Sequence, residues 1–196
     1  TVRRAEGLGN SSAARELSAV RGFLAFAAAE AGREAVLPRL KGPKKARAVP
    51  RPVSPDEAVA LAEEAADEAK APWIAARDLA VLLLLYGSGL RVAEALGLTG
   101  AALPLGETLS VTGKRNKTRI VPLLAMVREA IEHYLALSPW PVAKDEPLFR
   151  GARGGPLRGE IVRRAVMKAR RALGLSERTT PHMLRHSFAT HLLGRG

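Results

Sequence analysis

The chain has 196 residues, 47% of them hydrophobic, with 31 lysines and arginines against 19 acidic residues, a formal charge of +12, and no cysteine. That hydrophobic share supports a packed core and argues against global disorder, and the missing cysteines exclude disulfides and thiolate metal sites. So basic a chain implies a polyanionic partner, with nucleic acid ahead of a merely solubilising surface or a ribosome-like architectural role. The four histidines form no His-Glu-x-x-His pattern, so no metal site is expected. The apolar run at 79–85 is too short to span a bilayer and no secretory signal is visible, so the expectation is a cytoplasmic protein that engages no membrane.

Residues 11–35 read as a helix, with Leu17, Val20, Phe23, Leu24, Ala27 and Ala28 at helical spacing. An apolar helical face needs something to pack on, and too little sequence precedes this one to supply a bundle. Residues 1–45 are therefore expected to be the end of a larger helical domain. A basic stretch overlaps its last part: Arg39, Lys41, Lys44, Lys45, Arg47 and Arg51 occur among Pro38, Pro43, Pro50 and Pro52 without an acidic residue. It reads equally as a solvated connector or as a strap laid along a phosphate backbone through side chains such as Lys44 and Lys45. Residues 46–53 form the linker proper, and 54–196 a second domain.

That domain opens at Ser54-Pro55-Asp56-Glu57, an N-cap, a first-turn proline and a capping-box partner. An acidic amphipathic helix runs to 69. An almost wholly apolar helix follows at 74–86 and should be the buried centre. Gly87-Ser88-Gly89 breaks it, and a further helix is expected over 90–98. The period then changes: Leu109 and Val111, then Ile120, Val121 and Leu123, flank a polar tip from Gly113 to Thr118, the pattern of a β hairpin. Helix returns at 124–137, a proline-rich loop covers 138–147, and a turn lies at 151–155. Residues 157–173 read as a basic helix with Ile161, Val162, Ala165, Val166, Ala169 and Leu173 inward. Its outer cations, Arg163, Arg164 and Lys168, are the best candidates for contact with a nucleic-acid groove.

The final stretch, Thr180 to Leu193, begins as a capped helix, with Thr180 as cap and Pro181 in the first position. His182 and Arg185 fall three apart on one face, and an imidazole and a guanidinium near a helix N-terminus suit a bound phosphate. His186 and His191 are expected to face other helices, with Phe188, Leu192 and Leu193 in the core. Arg91 follows the Gly-Ser-Gly turn with Glu94 three residues on. It reads as an ordinary surface pair, or as a guanidinium that Glu94 holds ready for two phosphate oxygens. Lys114, where a strand meets the hairpin tip, is a solvated charge or a general acid for a departing oxygen. Arg115, Lys117 and Arg119 crowd the same tip, so spacing alone leaves the choice open. Two arginines, a lysine and a histidine could stabilise the charge that builds on a phosphodiester under attack.

Gly87-Ser88-Gly89-Leu90-Arg91-Val92-Ala93-Glu94-Ala95-Leu96, Val111-Thr112-Gly113-Lys114-Arg115-Asn116-Lys117-Thr118-Arg119 and Thr180-Pro181-His182-Met183-Leu184-Arg185-His186 together resemble the tyrosine recombinase (phage-integrase-like) family, most closely its bacterial Xer branch. The resemblance implies a mainly α fold with a small β hairpin: an α+β catalytic domain over 54–196, incomplete at its C-terminus, preceded by part of a helical core-binding domain. It implies that Arg91 and Arg185 clamp the scissile phosphate, that Lys114 protonates the 5′ leaving oxygen and that His182 assists. In the family a tyrosine attacks, forming a 3′-phosphotyrosyl intermediate without a cofactor or required metal. Its partners are double-stranded DNA, a related recombinase subunit in a tetramer, and a DNA translocase during chromosome-dimer resolution.

The family's nucleophile lies beyond the His-x-x-Arg box, where this chain has no residues, and neither Tyr86 nor Tyr134 matches its position. The expectation is a chain truncated at both ends that binds DNA without cleaving it. The alternatives are a noncatalytic DNA-binding or regulatory protein on the same scaffold, a phage or plasmid integrase, and an RNA-binding structural protein.

Overall fold

A computed structural model describes residues 9–34, 52–113 and 117–193; for Ser11 and residues 191–193 it describes the backbone only. The chain divides into two compact units, Thr1–Val49 and Pro50–Gly196. In the first, helix α1 spans Asn10–Glu30 and leaves Val20, Phe23 and Phe26 exposed. It stops short of residue 35 because Gly32 takes φ 61°. There Gly32 N donates to Ala29 O at 3.1 Å and Arg33 N to Ala28 O at 2.9 Å, a Schellman closure that favours glycine.

In the second unit, α2 spans Pro55–Asp67 behind the expected capping box: Glu57 N donates to Ser54 Oγ at 3.1 Å and Ser54 N to Glu57 Oε2 at 2.8 Å. Its Ala58, Leu61, Ala62 and Ala65 are buried. Helix α3, Pro72–Gly87, is the hub, packing against every other α-helix of this unit. Two charges lie inside it. Buried Arg77 pairs with Asp78 at 2.7 Å and donates to Arg150 O at 2.9 Å, so the ion pair also ties down a distant loop.

The expected helix over 90–98 is a single turn, α4, Val92–Leu96. Gly89 at φ 58° and an extended Arg91 delay its start, and Gly97 caps its end. Strands β1, Thr108–Thr112, and β2, Thr118–Pro122, pair antiparallel with Leu109 opposite Val121 and Val111 opposite Arg119. Gly113 N donates to Lys117 O at 2.9 Å, closing the hairpin. Helix α5, Ala125–Leu137, buries Val127, Ile131 and Tyr134. Helix α6, Gly159–Ala172, turns Val162, Val166 and Ala169 inward. Ile161 and Leu173, expected inward, are each 38% exposed, because the buried stripe of this helix is only one side chain wide per turn. Helix α7, Pro181–Leu193, starts where Met183 N donates to Thr180 Oγ1 at 3.3 Å. The architecture is mainly helical with one small hairpin, as the sequence implies.

Candidate functional site

Glu94 organises the site. It sits at the third position of α4, and its Oε2 accepts from Arg91 N at 2.8 Å, capping the helix from inside. Its Oε1 accepts from Arg91 Nη1 at 2.7 Å. From β2, Arg119 donates through both terminal nitrogens, Nη1 to Oε1 at 3.1 Å and Nη2 to Oε2 at 2.7 Å. From α7, Arg185 Nη1 reaches Oε2 at 3.3 Å and Gly89 O at 2.6 Å. Three guanidiniums from three elements thus share one carboxylate that is only 6% exposed.

The turn at 87–89 makes that convergence sterically possible. Gly89 adopts φ 58°, and a Cβ there would lie 2.4 Å from Phe188 Cδ1. Without it, the Phe188 ring of α7 rests directly on the turn, and Arg185, one helical turn earlier, meets the Gly89 carbonyl. Ser187, fully buried, fixes the same helix from behind: its Oγ accepts from Val53 N at 2.8 Å and donates to Met183 O at 3.0 Å.

Three cations against one anion leave the cluster electropositive. Hydrogen bonds from Arg119, and then from Arg91, outweigh burial and hold the Glu94 carboxyl down at about 2. Arg185 is shifted below the usual guanidinium range, first by burial and then by the nearby charge of Arg91. The Arg91 side chain is 50% exposed and that of Arg185 27%, and among the described residues each commits only Nη1 to protein acceptors. Their remaining N–H edges suit an anion that offers two oxygens side by side, such as the nonbridging oxygens of a phosphodiester.

His182 is exposed in the first turn of α7, on the Arg185 face, with its ring edge-on to His186 at 4.7 Å between centroids. His186 is itself exposed, not turned toward other helices as the sequence pattern suggested: Leu184 and Ser187 take the buried positions on either side. Lys117 is exposed beside the hairpin closure. Lys44, Lys45, Lys114 and Arg115 lie outside the described residues. Arg163, Arg164 and Lys168 stand exposed on α6, where Arg164 pairs with Glu160 at 3.2 Å and Lys168 with Glu68 at 3.6 Å, and none of them joins the Glu94 cluster. The Tyr134 hydroxyl is buried, donating to Leu148 O at 3.2 Å and accepting from Arg150 N at 3.0 Å. Among the described residues, no three His, Cys, Asp or Glu side chains could hold a metal ion together, and no helix is long and apolar enough to cross a membrane.

The pairing of Glu94 with Arg91 is legible from their spacing of three. Arg119 is one of several cations around the hairpin tip, and nothing local in the sequence marks its side chain as crossing to another element.

A family model described as the phage integrase family matches residues 51–196. The tyrosine recombinase XerC of Agrobacterium fabrum (strain C58 / ATCC 33970) is 48% identical over 200 residues, covering 99% of this chain and 62% of its own. That of Nitrobacter winogradskyi is 48% identical over 201 residues, covering 100% and 63%. The chain thus spans about three-fifths of the length of the curated relatives it matches. Among solved structures, XerA recombinase matches with a TM-score of 0.63 at 28% identity, over 92% of this chain and 60% of that one. XerH recombinase bound to palindromic difH substrate, a post-cleavage complex, shares the fold with a TM-score of 0.76 at 24% identity, over 96% and 56%.

Proposed function

Because the chain belongs to the phage integrase family, we propose that it carries the phosphate-activating half of a site-specific tyrosine recombinase acting on double-stranded DNA. One observation carries the reading: Arg91 and Arg185, far apart in sequence, are held by a single carboxylate and, among the described residues, keep N–H edges without a protein acceptor. In this reading those edges grip the nonbridging oxygens of the scissile phosphate. A tyrosine hydroxyl, supplied from outside these 196 residues, attacks phosphorus, and the bond to the 5′ oxygen breaks. Lys114 gives that oxygen its proton, and His182, at the positive end of α7, assists proton transfer and phosphate binding. The 3′-phosphotyrosyl bond is then resolved by the 5′ hydroxyl of a partner strand. Charge stabilisation of this kind draws on the side chains alone.

The likeness to XerC supports a finer reading: pairs of related subunits form a tetramer on a short chromosomal site and, with a DNA translocase, resolve chromosome dimers. The unit 1–49 would then contribute to gripping the DNA, and the exposed Lys117, Arg163, Arg164 and Lys168, with Arg115, Lys44 and Lys45, would meet its backbone.

The test uses the longest natural reading frame containing this chain and a nicked suicide DNA substrate. A covalent protein–DNA adduct is expected, and Arg185→Ala lowers its rate of formation by about 10²–10³ while leaving most DNA affinity intact. An unchanged rate refutes the role of Arg185. Specific binding with no adduct from the unaltered protein favours the noncatalytic DNA-binding alternative.

A further inference from the structure

Arg119 differs from its two neighbours in what it keeps back. Among the described residues, Arg91 and Arg185 each commit Nη1 alone, whereas Arg119 engages Glu94 through Nη1 and Nη2 together. A guanidinium whose end-on fork is closed on a carboxylate offers a phosphate only its side edges, and it is well placed to fix that carboxylate. We propose that Arg119 is a positioning residue: from β2 it sets the plane of the Glu94 carboxylate and, through it, the exposed edges of Arg91 and Arg185. The proposal rests on the recombinase reading of the same site and adds to it a residue that neither the Gly-Ser-Gly-x-Arg segment nor the His-x-x-Arg segment contains.

The physical argument starts with the carboxylate. The terminal torsion of a glutamate is broad, so contacts through single N–H groups leave its oxygens free to swing. A bidentate fork removes that freedom. Arg119 is in turn held by the strand, opposite Val111 in the register. The chain also packs closely over the pair: a Cβ on Gly113 would lie 3.2 Å from Glu94 Oε1 and 3.3 Å from Arg119 Nη1. Without Glu94 in a fixed plane, Arg91 and Arg185 repel each other, and both lose their common acceptor. Arg119 is also the first cause of the low Glu94 titration point.

The test compares Arg119→Gln and Arg119→Lys with the unaltered protein, in the longest natural reading frame, by single-turnover cleavage. Two substrates are used: one with an ordinary scissile phosphodiester, the other with a methylphosphonate there, which lacks one negative oxygen. On the diester, Arg119→Gln is expected to slow cleavage about 10–100-fold, and Arg119→Lys to restore it only in part because one ammonium cannot form the fork. On the methylphosphonate, which demands less of the arginine pair, the loss shrinks to a few-fold, about 5 or less. In a Glu94→Gln background, Arg119→Gln costs nothing further.

Equal losses on both substrates indicate a general folding defect and overturn the proposal. A full additional loss in the Glu94→Gln background also overturns it, by making Arg119 a direct phosphate ligand. No adduct from the unaltered protein counts instead against the recombinase reading. A separate measurement on this 196-residue chain then decides the positioning claim: the Glu94 carboxyl carbon, followed by nuclear magnetic resonance, should titrate at about 2 and move toward 4.5 in Arg119→Gln. An unmoved midpoint overturns it.

Discussion

A carboxylate that accepts from three guanidiniums stays ionised far into acid, and this couples the stability of the second unit to pH. Glu94 titrates at about 2 in the fold against 4.5 for an ordinary glutamate, chiefly through the Arg119 hydrogen bonds. Its folded value is the lower one, so its contribution is fully present above 4.5 and is lost as pH falls from there through about 2. With solvent screening around the half-exposed Arg91 discounted, that contribution is on the order of 1–2 kcal/mol. Glu94→Gln should therefore lower unfolding free energy in urea at neutral pH, and the gap from the unaltered chain should close between pH 4.5 and pH 2. A gap that stays constant across that window would mean that Glu94 acts through packing and not through charge.

Among the elements, α7 matters most, because it brings Arg185 to the cluster and is held from two sides. In front, Phe188 rests on Gly89 and Arg185 on its carbonyl. Behind, the Ser187 hydroxyl is the acceptor for Val53 N at 2.8 Å. Ser187→Ala removes that acceptor and strands a buried N–H, which should cost about 1–3 kcal/mol in a urea melt. A melt unchanged within about 0.5 kcal/mol would show that Val53 N finds another partner. This contact also marks where sequence reading stops. The capping box at Ser54 and Glu57 is legible because every partner lies within four residues, and the hairpin because its strands flank one polar turn. The bond from Val53 to Ser187 crosses 134 residues, and no periodicity records it. The same holds for the reach of Arg119 and Arg185 to Glu94, while Arg91, three residues from it, was readable. Element ends were lost for a related reason. The helix expected over 90–98 shrinks to Val92–Leu96 through the backbone angle of Gly89, which composition does not reveal.

For the whole chain, the charge of +12 sets how binding to a polyanion responds to salt. Each phosphate neutralised by a lysine or arginine releases counterions, so log affinity for duplex DNA falls against log salt with a slope of about −0.9 per contact. The exposed cations of α6 are not equivalent in this respect. Arg164 faces Glu160 at 3.2 Å and Lys168 faces Glu68 at 3.6 Å, so part of their charge is already met within the protein. Arg163 makes no ion pair among the described residues. If this helix lies on the backbone of DNA, Arg163→Ala should reduce the magnitude of the slope by about 0.9, and Arg164→Ala by clearly less, because losing Arg164 also frees Glu160 to repel the phosphates. Fluorescence anisotropy with labelled duplex across a salt series measures both slopes. Identical slopes for the unaltered chain and Arg163→Ala would remove Arg163 from the DNA-binding surface and, with it, the argument that this face of α6 lies on the backbone.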